Sequence, residues 1–355
     1  MESVAEVEIQ NRVKEAYDLL NKFIKKAKAS AVRHPFMVVI LMHEYFRNIY
    51  PNDPFIEKKF SDDKLDNIIL CLKFCNEMLE KVANLGNYFN SINNLIEYSQ
   101  NELRDTQSVY GRLWELLQED YINNESTKVL VKLLEKGGKN IGFLKGKKVL
   151  DMGCGSGRFS IALAKLGVAE VTAVDLGKHG ISIGKRMCTK LKINNVNFVV
   201  NDVLDLPFEN ESFDFVWCKG VLHHTGNLSR GIDEFHRVLK KGGNAFLYLY
   251  GKGGIFWDSR ALMRGVFEKI PMSYTLSVLD MIGMPPKRYI FADSWYVPIE
   301  EHTGRDWLVK YLSARGYQDI RRLEHTGTGN LDPMYNLPYT KEIWGDGDLR
   351  YFLTK

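Results

Sequence analysis

The stretch Lys148-Val-Leu-Asp151-Met-Gly153-Cys-Gly155-Ser-Gly157-Arg-Phe159 decides how the chain is read. Residues 148–151 have the texture of a short buried strand, and residues 159–166 follow with helical spacing. The glycines between them stand where the backbone must turn sharply and admit a ligand closely, because no side chain intervenes. The N-terminus of the following helix carries positive partial charge and unpaired N–H donors, which suit a carboxylate or a phosphate. Taken alone, such a loop serves a dinucleotide site or a simple tight turn equally well.

Downstream, the same texture recurs. Residues 170–174, 196–200, 213–218 and 244–250 read as strands, separated by helical patterns at 180–191 and 229–239. Residues 317–325 and 349–354 are suited to close the sheet. This alternation predicts an α/β fold built on a parallel, Rossmann-like sheet. The second strand ends in Asp175, 24 residues after Asp151, where a carboxylate can accept from both hydroxyls of a ribose. The third ends at Asn201-Asp202-Val203, which puts another carboxylate at the same edge.

Several ordered motifs here resemble those of the class I S-adenosylmethionine-dependent methyltransferases, particularly the small-molecule branch of quinone and sugar methyltransferases. Val149-Leu-Asp-Met-Gly-Cys-Gly-Ser-Gly157 resembles the first motif and Ala173-Val-Asp175 the second. Asn201-Asp-Val-Leu-Asp-Leu-Pro207-Phe with Ser212-Phe-Asp-Phe-Val resembles the third and the start of the fourth. Gly220-Val-Leu-His-His-Thr225 and Phe235-His-Arg-Val-Leu-Lys-Lys-Gly-Gly243 complete the set. The resemblance covers roughly the last 210 residues. It implies a seven-stranded methyltransferase sheet and S-adenosyl-L-methionine as cofactor. By the same resemblance, Gly153, Gly155 and Gly157 border the methionine part and Asp151 positions its amine. Asp175 holds the ribose, Leu176 packs on the adenine, and Asp202 accepts from the adenine amino group with Val203 beside the ring.

Methyl transfer from a sulfonium is an in-line displacement, so alignment and exclusion of water matter most. A base helps where the acceptor carries a proton. His223 and His224 follow the fourth strand, where this family's fourth motif faces the methyl, and either is a candidate base; beginning a helix is the competing role. Lys219, where the family more often has a small polar residue, is placed to meet the cofactor carboxylate or an acidic acceptor, with reaching solvent the competing role. Tyr250, Trp257, Asp293, Tyr296 and His302 are candidate substrate contacts, with core packing the competing role for the tryptophan. Tyr110, Trp114 and Tyr121, on the N-terminal side of the first strand, are candidates to reach the cofactor from that side, with core packing at helical spacing the competing role. No metal site is expected: Cys71 and Cys75 lie one helical turn apart with no second ligand pair.

At 355 residues the chain exceeds one ordinary core, and two domains are expected. Residues 1–137 read as helices, broken near Pro35, at 50–54, at Gly86 and at 105–108. They form a helical cap or dimerisation domain, and residues 138–355 the methyltransferase domain with a lid-like insertion at 251–302. Thr303-Gly-Arg-Asp306 reads as a capping box for a helix ending at Gly316, and residues 327–347 as a long loop. A formal net charge of +4 is too small to favour nucleic acid as a partner. Five scattered cysteines and an N-terminus without a signal-peptide pattern point to the cytoplasm, and no apolar run approaches the ~20 residues of a membrane span. The expected activity is methylation of a small molecule at O, N, C or S, with homodimerisation through the N-terminal helices. The alternatives are an RNA or protein methyltransferase, or a non-catalytic module that binds the cofactor.

Overall fold

A computed structural model describes residues 4–49, 64–83, 105–117, 119–283, 292–323 and 339–355. The chain divides into two compact units, each assembled from three separate stretches. One comprises Arg104–Gly251, Val297–Thr326 and Gly347–Lys355; the other comprises Met1–Leu103, Lys252–Tyr296 and Gly327–Asp346.

The first unit contains a seven-stranded sheet: β1 Lys148–Met152, β2 Glu170–Asp175, β3 Val196–Val200, β4 Phe213–Lys219, β5 Leu239–Tyr250, β6 Asp319–Arg322 and β7 Asp348–Thr354. Their spatial order is β3-β2-β1-β4-β5-β7-β6. β1 to β5 run parallel, and β7 lies antiparallel between β5 and β6. Reversal of strand order beside β1 opens a crevice at the carboxyl ends of β1 and β4, the place where open α/β sheets bind ligands.

Side chains alternate along each strand and so feed two cores. Val216 and Cys218 of β4 join Ile232 and Phe235 of the helix Leu228–Val238 and Leu308 and Leu312 of the helix Arg305–Ser313. Phe215 and Trp217 face the other way, among Leu130, Leu133 and Leu134 of the helix Ser126–Lys136 and Phe159 and Leu163 of the helix Arg158–Lys165. Trp217 stacks on Phe246 with ring centroids 4.3 Å apart. Each fully buried side chain of this size contributes roughly 1.5–3 kcal/mol, so both faces are firmly held.

The sequence puts a domain boundary at 137/138, whereas residues 104–137 belong to the sheet unit. The cause is the apolar stripe of Ser126–Lys136, which is spent on the sheet. The expected insertion at 251–302 is also divided, since Lys252–Tyr296 joins the helical unit and Val297 onward joins the sheet unit. The capping box at Thr303 does not form: Gly304 occupies the N-cap of Arg305–Ser313 and supplies no side-chain bond. The breaks near 50–54 and at Gly86 and most of the 327–347 loop lie outside the described residues.

The helical unit includes Val4–Ser30, Pro35–Ile49, Lys64–Ala83, Gly254–Phe267 and Met272–Met281. Pro35 begins its helix at the one turn where a missing N–H is harmless. Phe267 and Trp295 stack at 4.3 Å, Phe23 meets Tyr45 edge-on at 5.9 Å, and the Trp344 indole donates to the Ile49 carbonyl at 3.1 Å. No helix among the described residues is long and apolar enough to cross a membrane.

Candidate active site

The glycine loop closes on β2. The Gly153 and Cys154 amides both donate to the Val174 carbonyl, at 2.8 and 2.9 Å. Gly153 and Gly155 have φ of +81° and +53°, in the left-handed region that side chains rarely adopt. A Cβ on Gly153 would lie 2.3 Å from the Val221 methyls, and one on Gly155 would lie 3.0 Å from the Trp114 indole. Gly157, also left-handed, is the N-cap of Arg158–Lys165.

Asp175 binds this loop to the next turn. One carboxylate oxygen accepts from the Gly155 amide at 2.8 Å and the other from the Gly177 amide at 2.7 Å. Burial raises its pKa, against the opposing effect of those two amides. Asp151, only 2% exposed, accepts from the Ser160 hydroxyl at 2.6 Å. Burial pushes its pKa up to about 7; the Ser160 bond opposes this, the Asp175 charge adds to it, and Arg158 opposes it. A buried and a partly buried carboxylate beside a glycine floor form a site that favours positive charge and hydrogen-bond donors.

Asp202 follows β3 at the same edge, with one oxygen accepting from the Leu204 amide at 2.8 Å. Leu176, after β2, is 43% exposed. Val203 points into the core beside Leu206 and Phe213. The Lys219 ammonium lies 5.2 Å from the Phe159 ring centre and 5.4 Å from that of Tyr248. Burial lowers its pKa to about 7, Arg158 and Arg350 lower it further, and Asp348 opposes them.

At the ends of β4 and β5 the structure brings together four sequence-predicted residues. His223 stacks on Tyr250 at 3.7 Å and meets His224 edge-on at 4.3 Å. His302 lies 6.4 Å from Tyr250 and bonds Glu300 at 2.8 Å. Trp257, Asp293 and Tyr296 belong instead to the helical unit. There Trp257 is a buried core residue, the Asp293 carboxylate accepts from the Ser294 amide, and the Tyr296 hydroxyl bonds Thr275 and the Ile270 carbonyl.

Trp114 and Tyr110, from the helix Thr106–Glu115, stack on each other at 5.5 Å. Arg158 lies over the Trp114 ring at 5.2 Å and donates to the Tyr121 hydroxyl at 2.9 Å. Arg158 and Arg350 stand in no motif that marks them in the sequence. Gly180 and Gly184 are marked in the sequence only by their four-residue spacing inside a predicted helix.

A doubly wound sheet with a glycine loop and acidic strand tips is the frame of a nucleoside-binding protein. Residues 150–247 match the family described as a methyltransferase domain. A demethylmenaquinone methyltransferase of Staphylococcus aureus (strain JH9) is 37% identical over 195 residues, covering 53% of this chain and 75% of that one. Among solved structures, an S-adenosylmethionine-dependent methyltransferase from Aquifex aeolicus matches with TM-score 0.39 and 16% identity, covering 69% of this chain and 97% of that one. The 1,6-didemethyltoxoflavin N1-methyltransferase of Burkholderia thailandensis matches with TM-score 0.38 and 16% identity, covering 67% and 79%. The chain belongs to the class I S-adenosylmethionine-dependent methyltransferases. Its cofactor is S-adenosyl-L-methionine, a cation with an adenosine end, and the paired carboxylates and glycine floor fit that chemistry.

Proposed function

We propose that the chain methylates a small molecule at O, N, C or S, and that a reduced quinone is the first acceptor to try, after the name of the Staphylococcus aureus relative. One observation carries the site assignment: Asp175 reaches both Gly155 and Gly177 from the tip of β2, with buried Asp151 beside it. In this reading Gly153, Gly155 and Gly157 line the methionine part and Asp151 meets its ammonium. Asp175 takes the ribose, Leu176 packs against the adenine, and Asp202 accepts from the adenine amino group with Val203 behind it. Lys219 faces the cofactor carboxylate. When bound, the cofactor supplies an electrophilic methyl group.

This chain's own residues then orient the acceptor, keep water out and remove its proton. Tyr250 and His302 contact the acceptor, and one of His223 and His224 is the base. The rings gathered at the ends of β4 and β5 support a planar, partly apolar acceptor. A cytoplasmic location, a homodimer formed through the N-terminal helices and the absence of a nucleic-acid partner belong to the same proposal, the last supported by the small net charge.

Calorimetry with S-adenosylhomocysteine tests the site. Asp175→Ala should weaken binding by about 1–3 kcal/mol, and Asp175→Asn by less. Wild-type protein that binds no S-adenosylhomocysteine would sink the site assignment. Wild-type protein that binds it yet transfers no methyl to reduced demethylmenaquinone would sink the choice of acceptor.

A further inference from the structure

His224 is engaged at both ring nitrogens. Nδ1 lies 2.8 Å from the Ile299 carbonyl oxygen and Nε2 lies 2.8 Å from the Tyr110 hydroxyl. A carbonyl only accepts, so Nδ1 carries hydrogen; in the neutral ring the lone pair is on Nε2, and the Tyr110 phenol donates to it. The backbone thus sets the tautomer. An acceptor cannot reach Nε2 directly without displacing Tyr110.

Tyr110 is itself held in place. Asp105 caps its helix by accepting from the Ser108 amide at 2.9 Å and the Ser108 hydroxyl at 2.6 Å. One turn on, Trp114 stacks on Tyr110 and stands against Gly155. The stacked pair of Trp114 and Tyr110 therefore runs from the glycine loop to the His-His turn after β4, at the carboxyl edge of the sheet.

We propose that Tyr110 is the acid–base group that meets the acceptor, and that His224 acts through it. The inference rests on the proposed methylation of a hydroxyl-bearing small molecule. The acceptor hydroxyl gives its proton to the Tyr110 oxygen as the phenol's own proton passes to Nε2. The phenol ends neutral, and the imidazole ends as an imidazolium whose Nδ1–H still donates to Ile299. The electron pair left on the acceptor would form the new bond to the methyl carbon as the carbon–sulfur bond breaks and its pair goes to sulfur, which would leave as a neutral thioether. Where the bond forms at a ring carbon of a quinol, that carbon would then lose its hydrogen to solvent as a proton and the ring would regain aromaticity. Solvent takes the proton from the imidazolium after turnover.

Two measurements on the full chain test this. The first is nitrogen NMR of 15N-histidine-labelled protein. Wild type should show His224 protonated at Nδ1 and bare at Nε2, and Tyr110→Phe should keep that tautomer while moving the Nε2 resonance. A wild-type ring protonated at Nε2 alone overturns the proposal whatever the acceptor. The second is methyl transfer to reduced demethylmenaquinone. Tyr110→Phe should lower kcat by about 100-fold or more and leave the KM for S-adenosylmethionine within a few fold. Tyr110→Phe with His224→Gln should be no worse than the poorer single variant, as for residues that act as a unit. An unchanged kcat, or losses that multiply, reduces Tyr110 to a packing residue. Wild type inactive on this quinol defeats the acceptor assignment, and the NMR result then decides the Tyr110 proposal by itself.

Discussion

Asp151 illustrates how burial sets the energy of one residue. An unfolded aspartate ionises near 4, whereas in the fold Asp151 holds its proton up to about 7 because burial disfavours its charge. Between those values the folded chain binds more protons than the unfolded one, so stability falls as pH rises through that window. Asp151→Asn keeps the shape and removes the charge. Without cofactor, the variant should be more stable than wild type at pH 8 by at most about 4 kcal/mol, with the difference fading toward pH 4, as read by urea unfolding at several pH values. It should also bind S-adenosylhomocysteine more weakly. A stability difference that does not change with pH would mean that the carboxylate is ionised in the fold without penalty. The sequence placed Asp151, Asp175 and Asp202 at one edge because strand ends can be read from hydrophobic runs. It did not show which amides Asp175 holds, nor that His224 meets Tyr110, a partner 114 residues away.

At the scale of elements, the site depends on how closely the helix Lys178–Leu191 approaches the glycine loop. A Cβ on Gly180 would lie 2.7 Å from the Gly155 carbonyl oxygen, and one on Gly184 would lie 2.7 Å from the Phe198 ring and 3.1 Å from the Ser156 carbonyl oxygen. Backbone cannot yield as a flexible side chain can. Gly180→Ala should therefore cost about 1–3 kcal/mol and weaken S-adenosylhomocysteine binding, since the displaced Gly155 amide is one of the two that Asp175 holds. Gly142→Ala, where a Cβ meets only the Asn140 side chain at 3.5 Å, is the control expected to leave affinity unchanged. Equal affinities for wild type and Gly180→Ala would show that the loop tolerates the shift. Most strands and helices after residue 147 were legible to within about three residues, because period and glycine breaks are local signals, but β5 starts at Leu239, five residues before the run at 244–250. The failed box at Thr303 shows the limit: a four-residue pattern cannot reveal that Gly304 takes the cap.

For the whole molecule, each unit is stitched from three stretches of chain, which no local pattern announces. Helical periodicity identifies an apolar stripe but not its partner, so Ser126–Lys136 read as part of the N-terminal helices although its leucines lie on the sheet. The site is more compactly encoded. Asp151, Asp175, Asp202, Lys219, His223, His224, Tyr250 and His302 all belong to the sheet unit, drawn from two of its three stretches. Ligand binding should therefore add to the stability of that unit by mass action. At a free S-adenosylhomocysteine concentration of about 100 times Kd the gain is ~2.7 kcal/mol. Hydrogen exchange reads this directly: the slowest amides of β1, β4 and β5, which exchange only when the sheet opens, should slow by about 100-fold. Asp175→Ala, with its weaker binding, should show a smaller factor at the same concentration. If the central strands exchange at one rate with and without the nucleoside while calorimetry reports binding, the ligand sits somewhere other than the edge these residues define.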